Sequence, residues 1–397
     1  MTIAFMGGQI IVGDGRVFDS GTVIVEDARI VKVTEGEASV PREARKVDLG
    51  GRTLLPGFID CHVHLCLDGG PDPASSAKQD SLSTMTLKAA EFARRTLMAG
   101  VTTLRDMGGI HSVDLAVRDA VRSGLINGPR ILASGKIICM TGGTGWTFGG
   151  READGPHEVR KAVREQIKAG ADLIKLMATG GVITPGVEPG CTQFTEEELS
   201  AGVEEAHKAG RKTAAHAQGT RGILNALRAG IDSIEHGIYM DEETVSLMVD
   251  KKVPFIPTLS PLINIERNGV EGGVPEFAVN KTNQVKPFHL ESIRMAREAG
   301  VIFAMGTDTG CPFSAHGANL NEVVFFVDQG FSPLEAITAA TRTAANTLGL
   351  QAELGTIEEG KLADLVIVQG NPLDDISLLA REGNIPMVMQ GGRILKQ

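Results

Sequence analysis

One pattern of hydrophobic and polar positions recurs along the middle of the chain. An amphipathic run, apolar at helical spacing, closes on Ala-Gly, and a short segment rich in β-branched residues follows. The copies read "LMAGVTTLRD", "IKAGADLIKL", "HKAGRKTAAH", "LRAGIDSIEH" and "REAGVIFAMGTD". The first half of each unit has the period of a helix packed on one face, and the second half has the composition of a buried strand. Gly100, Gly170, Gly210, Gly230 and Gly300 stand where a helix stops through a left-handed residue. The run "TEEELSAGVEEAHKAG" opens on Thr195 with Glu198 three residues on, a capping box.

Helix alternating with strand implies parallel βα units. Strands are expected around 57–64, 101–107, 130–138, 172–178, 212–217, 232–237, 253–259 and 301–307, with helices between them. Eight such units in about 300 residues predict a (β/α)8 TIM-like barrel. An open doubly wound sheet would need a Gly-rich fingerprint at a switch point, and no such motif occurs. The two ends read differently. Residues 1–56, with "QIIVGDGRVFDSGTVIVEDARIVKV", and residues 353–397, with "GTIEEGKLADLVIVQGNPL" and "MVMQGGRILKQ", alternate as short strands. Neither end suffices for a domain, so the expectation is one small β-sandwich built from both, beside a barrel over 57–352.

Composition narrows the function. The 397 residues are 42% hydrophobic and 22% charged, enough for a large core. The net charge of −10 and the absence of a basic run argue against a nucleic-acid partner. No apolar stretch reaches the length of a membrane span, and the glycine-broken start does not resemble a signal peptide. Five scattered cysteines, an odd number, fit a reducing compartment better than a disulfide framework, and a cytoplasmic location is expected.

The stretch "LLPGFIDCHVHL" holds His62 and His64 one residue apart. On a strand they share a face, with Asp60 beside them, while Cys61 points away. Alone the pair is a weak signal. The repeat supplies a test, because a barrel carries its chemistry at the carboxyl ends of its strands. Counting on from Gly170, Gly210, Gly230 and Gly300 reaches Lys175, His216, His236 and Asp308. Metal-ligand chemistry therefore falls at strand ends one, four, five, six and eight. Lys175 admits two readings. It can run its stem to water from a strand end. Alternatively burial depresses its pKa, and the neutral amine reacts with carbon dioxide to give a carbamate whose two oxygens bridge two ions.

With these residues assembled, the chain resembles the amidohydrolase superfamily. "PGFIDCHVHL", "LIKLMATGG", "TAAHAQG", "SIEHGIYMD" and "MGTDTG" occur in the family's order, and "GTIEEGKLADLVIV" is similar to its return into the small β-domain. Within the superfamily it looks most like the imidazolonepropionase-related branch that includes binuclear Xaa-Pro dipeptidases and related metallo-carboxypeptidases. The resemblance implies a hydrolase of an amide-type C–N bond. His62, His64 and Asp308 would hold one divalent ion, and His216 and His236 a second. A carboxylated Lys175 and a hydroxide would bridge them, with Asp308 as proton shuttle. Zinc suits these ligands best, and manganese or cobalt also fit. A homo-oligomer acting on a small molecule is expected. Alternatives on the same fold are a mononuclear deaminase or imidazolone hydrolase, which generally lacks the lysine, and a non-catalytic scaffold, which typically lacks the ligands.

Substrate contacts are less determined. The loop "MTGGTGWTFGGREADG" holds Trp146, the only tryptophan, and reads either as a gate over the barrel mouth or as a surface loop. Thr144 stands where the dipeptidase branch usually has histidine, and Gln218 where relatives often read a second histidine. Tyr239, the only tyrosine, resembles a residue that binds the substrate or its oxyanion, or else packs over a strand end. Arg105 either pairs with Asp106 or meets a substrate carboxylate. His316 lies in the loop after the last strand, within reach of the pocket. His111, His157, His207 and His289 are assigned to structure or surface. A dipeptide or N-acyl amino acid is the default substrate, and a carbamate, urea or cyclic amide the main variant.

Overall fold

A computed structural model describes all 397 residues. Its centre is the (β/α)8 barrel. Parallel strands at Phe58–Val63, Val101–Asp106, Arg130–Ala133, Leu173–Met177, Lys212–Ala217, Ile234–His236 and Phe255–Ile256 follow one another around the axis. All five Ala-Gly glycines lie at positive φ, between 68° and 99°, so each helix ends through a residue without a Cβ to clash. Thr195 and Glu198 cap the helix Glu196–Lys208 reciprocally.

Three strands depart from expectation. The third ends at Ala133, and its continuation Ile138–Cys139 pairs separately with Leu176. Between the two pieces, the Gly135 N–H donates to buried Asp114 at 2.7 Å, so a side chain takes over from the ladder. The seventh is only Phe255–Ile256. The eighth is an irregular extended segment that nonetheless closes the barrel. Phe255 N–H donates to Ile302 O at 2.8 Å, Ala304 N–H to Phe255 O at 3.0 Å, and Cys61 N–H to Met305 O at 2.9 Å. Closure thus runs through a few spaced hydrogen bonds to the first and seventh strands, and the backbone is left free to turn sharply at Asp308.

The chain ends form one continuous eight-stranded sheet. Strand Arg52–Pro56 runs parallel to Thr2–Ile11 and antiparallel to Leu365–Gln369, which joins the C-terminal hairpin to the N-terminal strands. Bulges at Met6/Gly8 and Gly8/Ile10 curl this sheet. Alternation along the two joining strands explains how it docks. Leu54 and Ile367 enter the sheet's own core, with Phe5, Ile10 and Met389. Leu55 and Val366 enter the barrel's core of 64 buried residues. Both faces of these strands are buried, which fixes their register.

Candidate active site

The site is built at the carboxyl ends of the strands. His62 is the last but one residue of the first strand and His64 follows it, His216 lies near the end of the fifth, His236 ends the sixth, and Asp308 follows the eighth segment. Ring centroids of His62 and His64 are 5.4 Å apart, His62 and His236 5.0 Å, His216 and His236 4.5 Å. His236, Thr258 and Asp308 all have left-handed backbone, with φ of 73°, 51° and 53°. Non-glycine residues adopt that conformation at a cost of about 1–3 kcal/mol each, held by surrounding structure. Here the turn swings consecutive strand ends inward toward one point.

Hydrogen bonds orient each imidazole. His62 Nδ1 lies 2.8 Å from Glu235 Oε2, so Nδ1–H donates to that carboxylate and the Nε2 lone pair faces the site. Thr258 Oγ1 gives its own proton to Pro257 O and accepts from His236 Nδ1 at 2.7 Å, which again frees Nε2. His216 Nε2 is 3.1 Å from Gly180 O, and its free nitrogen is Nδ1. Burial pushes His62 down to about 4 and His216 to about 3, with the Lys175 charge adding to both, so these lone pairs stay unprotonated. Burial opposes a proton on His64, yet the adjacent Asp308 carboxylate raises its pKa and so favours a cation between them.

Two buried atoms at the centre lack partners. Lys175 Nζ has no hydrogen bond although the residue is 2% exposed. Burial pushes it down to about 8. Asp308 Oδ1 stands 3.2 Å from His64 Nε2 and 3.5 Å from His62 Nε2 without a well-formed hydrogen bond. Ligand atoms of His62, His64 and Asp308 all lie within 4.8 Å of one another. Free imidazole lone pairs, an unsatisfied carboxylate oxygen and an unsatisfied amine fit divalent-ion binding, since a buried polar atom left without a partner is costly.

Beneath this ring lies an ion pair absent from the sequence reading. Glu235 is fully buried and accepts from Arg105 at 2.8 Å as well as from His62. Burial pushes Glu235 up, but Arg105 and His62 pull it down to about 2. Arg105 also donates to Cys61 O and Ser233 Oγ. It therefore pairs neither with Asp106 nor with a substrate, because successive strand residues face opposite ways. Asp106 instead accepts from Leu65 and Gly108 N–H groups. Asp60, on the histidines' strand, accepts from Thr307 and Asn319 and does not touch the His62 ring.

Above the ring opens a cavity of about 930 Å³, the mouth included. It is lined by all six residues at the strand ends, together with Thr144, Gln218, His289 and a largely apolar wall. Thr144 is held there by Gln193, whose Oε1 accepts the Thr144 N–H at 3.0 Å. Trp146 is 48% exposed and outside the lining, where Gly145 and Phe148 take its place. Tyr239 also stands outside it, its ring 5.1 Å from that of Phe288. His316 is turned away, bonded to Leu67 O and stacked on Phe92 at 4.4 Å. His289, assigned to structure by its place on a helix, belongs to the lining. It is 1% exposed, with neither ring nitrogen hydrogen-bonded. No periodicity signals that a helix as long as Glu276–Glu298 turns one histidine to the barrel mouth.

A (β/α)8 barrel with imidazoles, a buried lysine and a carboxylate at its strand ends defines the class of metal-dependent hydrolases. Residues 53–395 match the amidohydrolase family model, and the chain belongs to that family. It is 35% identical to an ochratoxinase of Aspergillus niger over 98% of this chain and 85% of that enzyme. A solved Xaa-Pro dipeptidase with methionine bound in its active site superposes with a TM-score of 0.91, at 34% identity and complete coverage of both chains. An imidazolonepropionase of Symbiobacterium thermophilum is 26% identical over 96% of this chain and 91% of that one. The chain is a hydrolase of carbon–nitrogen bonds, and metal-dependent amide hydrolysis is its chemistry. No helix is long and apolar enough to cross a membrane, and all five cysteines are unpaired.

Proposed function

We propose that the protein is a binuclear hydrolase in which His62, His64 and Asp308 hold one divalent ion and His216 and His236 the other. Lys175, carboxylated on Nζ, would lie between them, and zinc is the expected metal, with manganese and cobalt also suited. The observation that carries this reading is the unpartnered Lys175 amine inside the ring of imidazoles. With a pKa near 8 it is partly neutral at physiological pH. A neutral amine attacks the carbon of carbon dioxide, an N–C bond forms, a proton leaves, and the result is an anion with two oxygen donors. When bound, a pair of divalent ions supplies a nucleophilic water near neutral pH and polarises a carbonyl.

The chain's own groups then complete hydrolysis. Asp308 Oδ1, without a firm partner, accepts the proton of the attacking water and returns it to the leaving nitrogen. The water oxygen bonds to the carbonyl carbon, the C–N bond breaks, and the products are an acid and an amine. Thr144, the one polar residue of the 140–155 loop in the cavity wall, would meet the substrate. Residues 57–352 carry the chemistry, and the two chain ends brace it. A cytoplasmic homo-oligomer stays part of the proposal, to be checked by light scattering on the purified protein. The decisive experiment is metal analysis of Lys175→Ala. Loss of at least one ion per chain and of turnover is expected. Two ions with full activity would remove the carbamate. One ion per chain in both forms would turn the reading to a mononuclear deaminase.

A further inference from the structure

The cavity holds a notable asymmetry between its floor and its walls. Every ionisable group that lines it, apart from His289 and the thiol of Cys311, belongs to the six residues assigned above to the ions. No arginine lines it, no second lysine and no second carboxylate. The walls are Ile137, Phe148, Met177, Val182, Leu262 and further aliphatic residues. The nearby cations are already engaged. Arg105 spends its donors on Cys61 O, Ser233 and Glu235. Lys281 gives its ammonium to the carbonyls of Thr184 and Val187. The polar atoms left for a ligand are neutral. Gln218 Oε1 and both ring nitrogens of His289 are buried without a hydrogen-bond partner.

From this we infer that the cavity selects an uncharged apolar amide, carbamate or urea and discriminates against substrates bearing a free carboxylate. The inference rests on the hydrolase reading above and narrows it. A carboxylate drawn into such walls would lose its hydration and find no guanidinium or ammonium in return. A dipeptide or N-acyl amino acid always carries one. An apolar acyl or amine substituent gains from burial against the aliphatic wall at about 25 cal/mol per Å².

The test uses two compounds with the same scissile bond, N-benzoylphenethylamine and N-benzoylphenylalanine, which differ by one carboxylate. On metal-reconstituted protein the neutral compound should be hydrolysed with kcat/KM at least 100-fold higher. Gln218→Arg should raise kcat/KM for the carboxylate compound at least tenfold, and Met177→Arg serves the same purpose should the first variant not fold. Calorimetric binding to the inactive Asp308→Asn protein gives a readout without turnover, and there the neutral compound should bind at least tenfold tighter. Equal or better use of the carboxylate compound, or binding of neither, overturns the inference. Failure of the underlying hydrolase reading looks different, because then neither compound is turned over while calorimetric binding to the Asp308→Asn protein still favours the neutral one.

Discussion

Asp308 combines three properties that single residues seldom share: a left-handed backbone, near-complete burial and an oxygen without a firm partner. Burial raises its pKa, but His62 and His64 hold it well below the usual carboxylate range, so it is ionised and ready to accept a proton. Asp308→Asn should keep bound metal largely intact while kcat falls about 100-fold or more, the range for losing a general base. Unchanged kcat with full metal would move the proton-transfer role elsewhere. Glu235 acts one layer below by fixing the His62 tautomer. Glu235→Gln should weaken metal affinity about 10–100-fold, as loss of such a carboxylate partner does. Metal titration with a chromophoric chelator reads this. The variant also leaves Arg105 buried without its counter-charge, and unfolding should cost about 3–5 kcal/mol less. The metal-binding candidates were legible because the Ala-Gly stops count out strand ends. Glu235 was adjacent to His236 in "SIEHG", yet its partner Arg105 lies 130 residues earlier, and local spacing carries nothing of that distance.

At the scale of elements, the loops decide what the strand ends become. The segment after the second strand forms part of the cavity wall through Gly108 and Gly109. A Cβ on Gly109 would lie 1.8 Å from Asp114 Oδ1, so only glycine fits there. Burial, and next the like charge of Asp106, push Asp114 up to about 7. The folded state therefore binds this proton more tightly than the unfolded chain does. The stability it confers is complete below about pH 4 and is lost as pH rises through 7. Asp114→Asn keeps an oxygen for the Gly135 N–H and removes the titration. Its melting temperature should exceed that of the parent at pH 8, with a gap that shrinks toward pH 4; parallel curves would show that Asp114 does not titrate in this window. The same scale explains the misread elements. The eighth strand has strand composition, but its hydrogen bonds to both neighbours are spaced and form no continuous ladder, and Thr307 and Asp308 both donate to His62 O where the chain turns.

For the whole molecule, the barrel and the sheet of the chain ends are packed together through the joining strands and therefore share stability. Asp364 is a joint: its carboxylate accepts from Arg130 at 3.0 Å and from the Gly391 N–H at 2.8 Å, and its carbonyl accepts from the Gly57 N–H at 2.8 Å. Asp364→Ala should lower stability by about 2 kcal/mol, the scale for losing hydrogen bonds to a charged group, with both parts melting in one transition. Two separate transitions would show that they fold independently. The sequence by itself determined the parallel βα alternation, the helix stops and the residues at strand ends, because these follow from periods of 3.6 and 2 and from the backbone freedom of glycine. It also placed "LLPGFIDCHVHL" among the ligand candidates through five agreeing positions. Only the tertiary structure decided what surrounds them. Arg105 went to Glu235, His289 came to the cavity, Tyr239, Trp146 and His316 stood outside it, and the walls emerged without a cation. Those outcomes depend on which side chains meet across the barrel, and such meetings are set by closure of the sheet and by close packing.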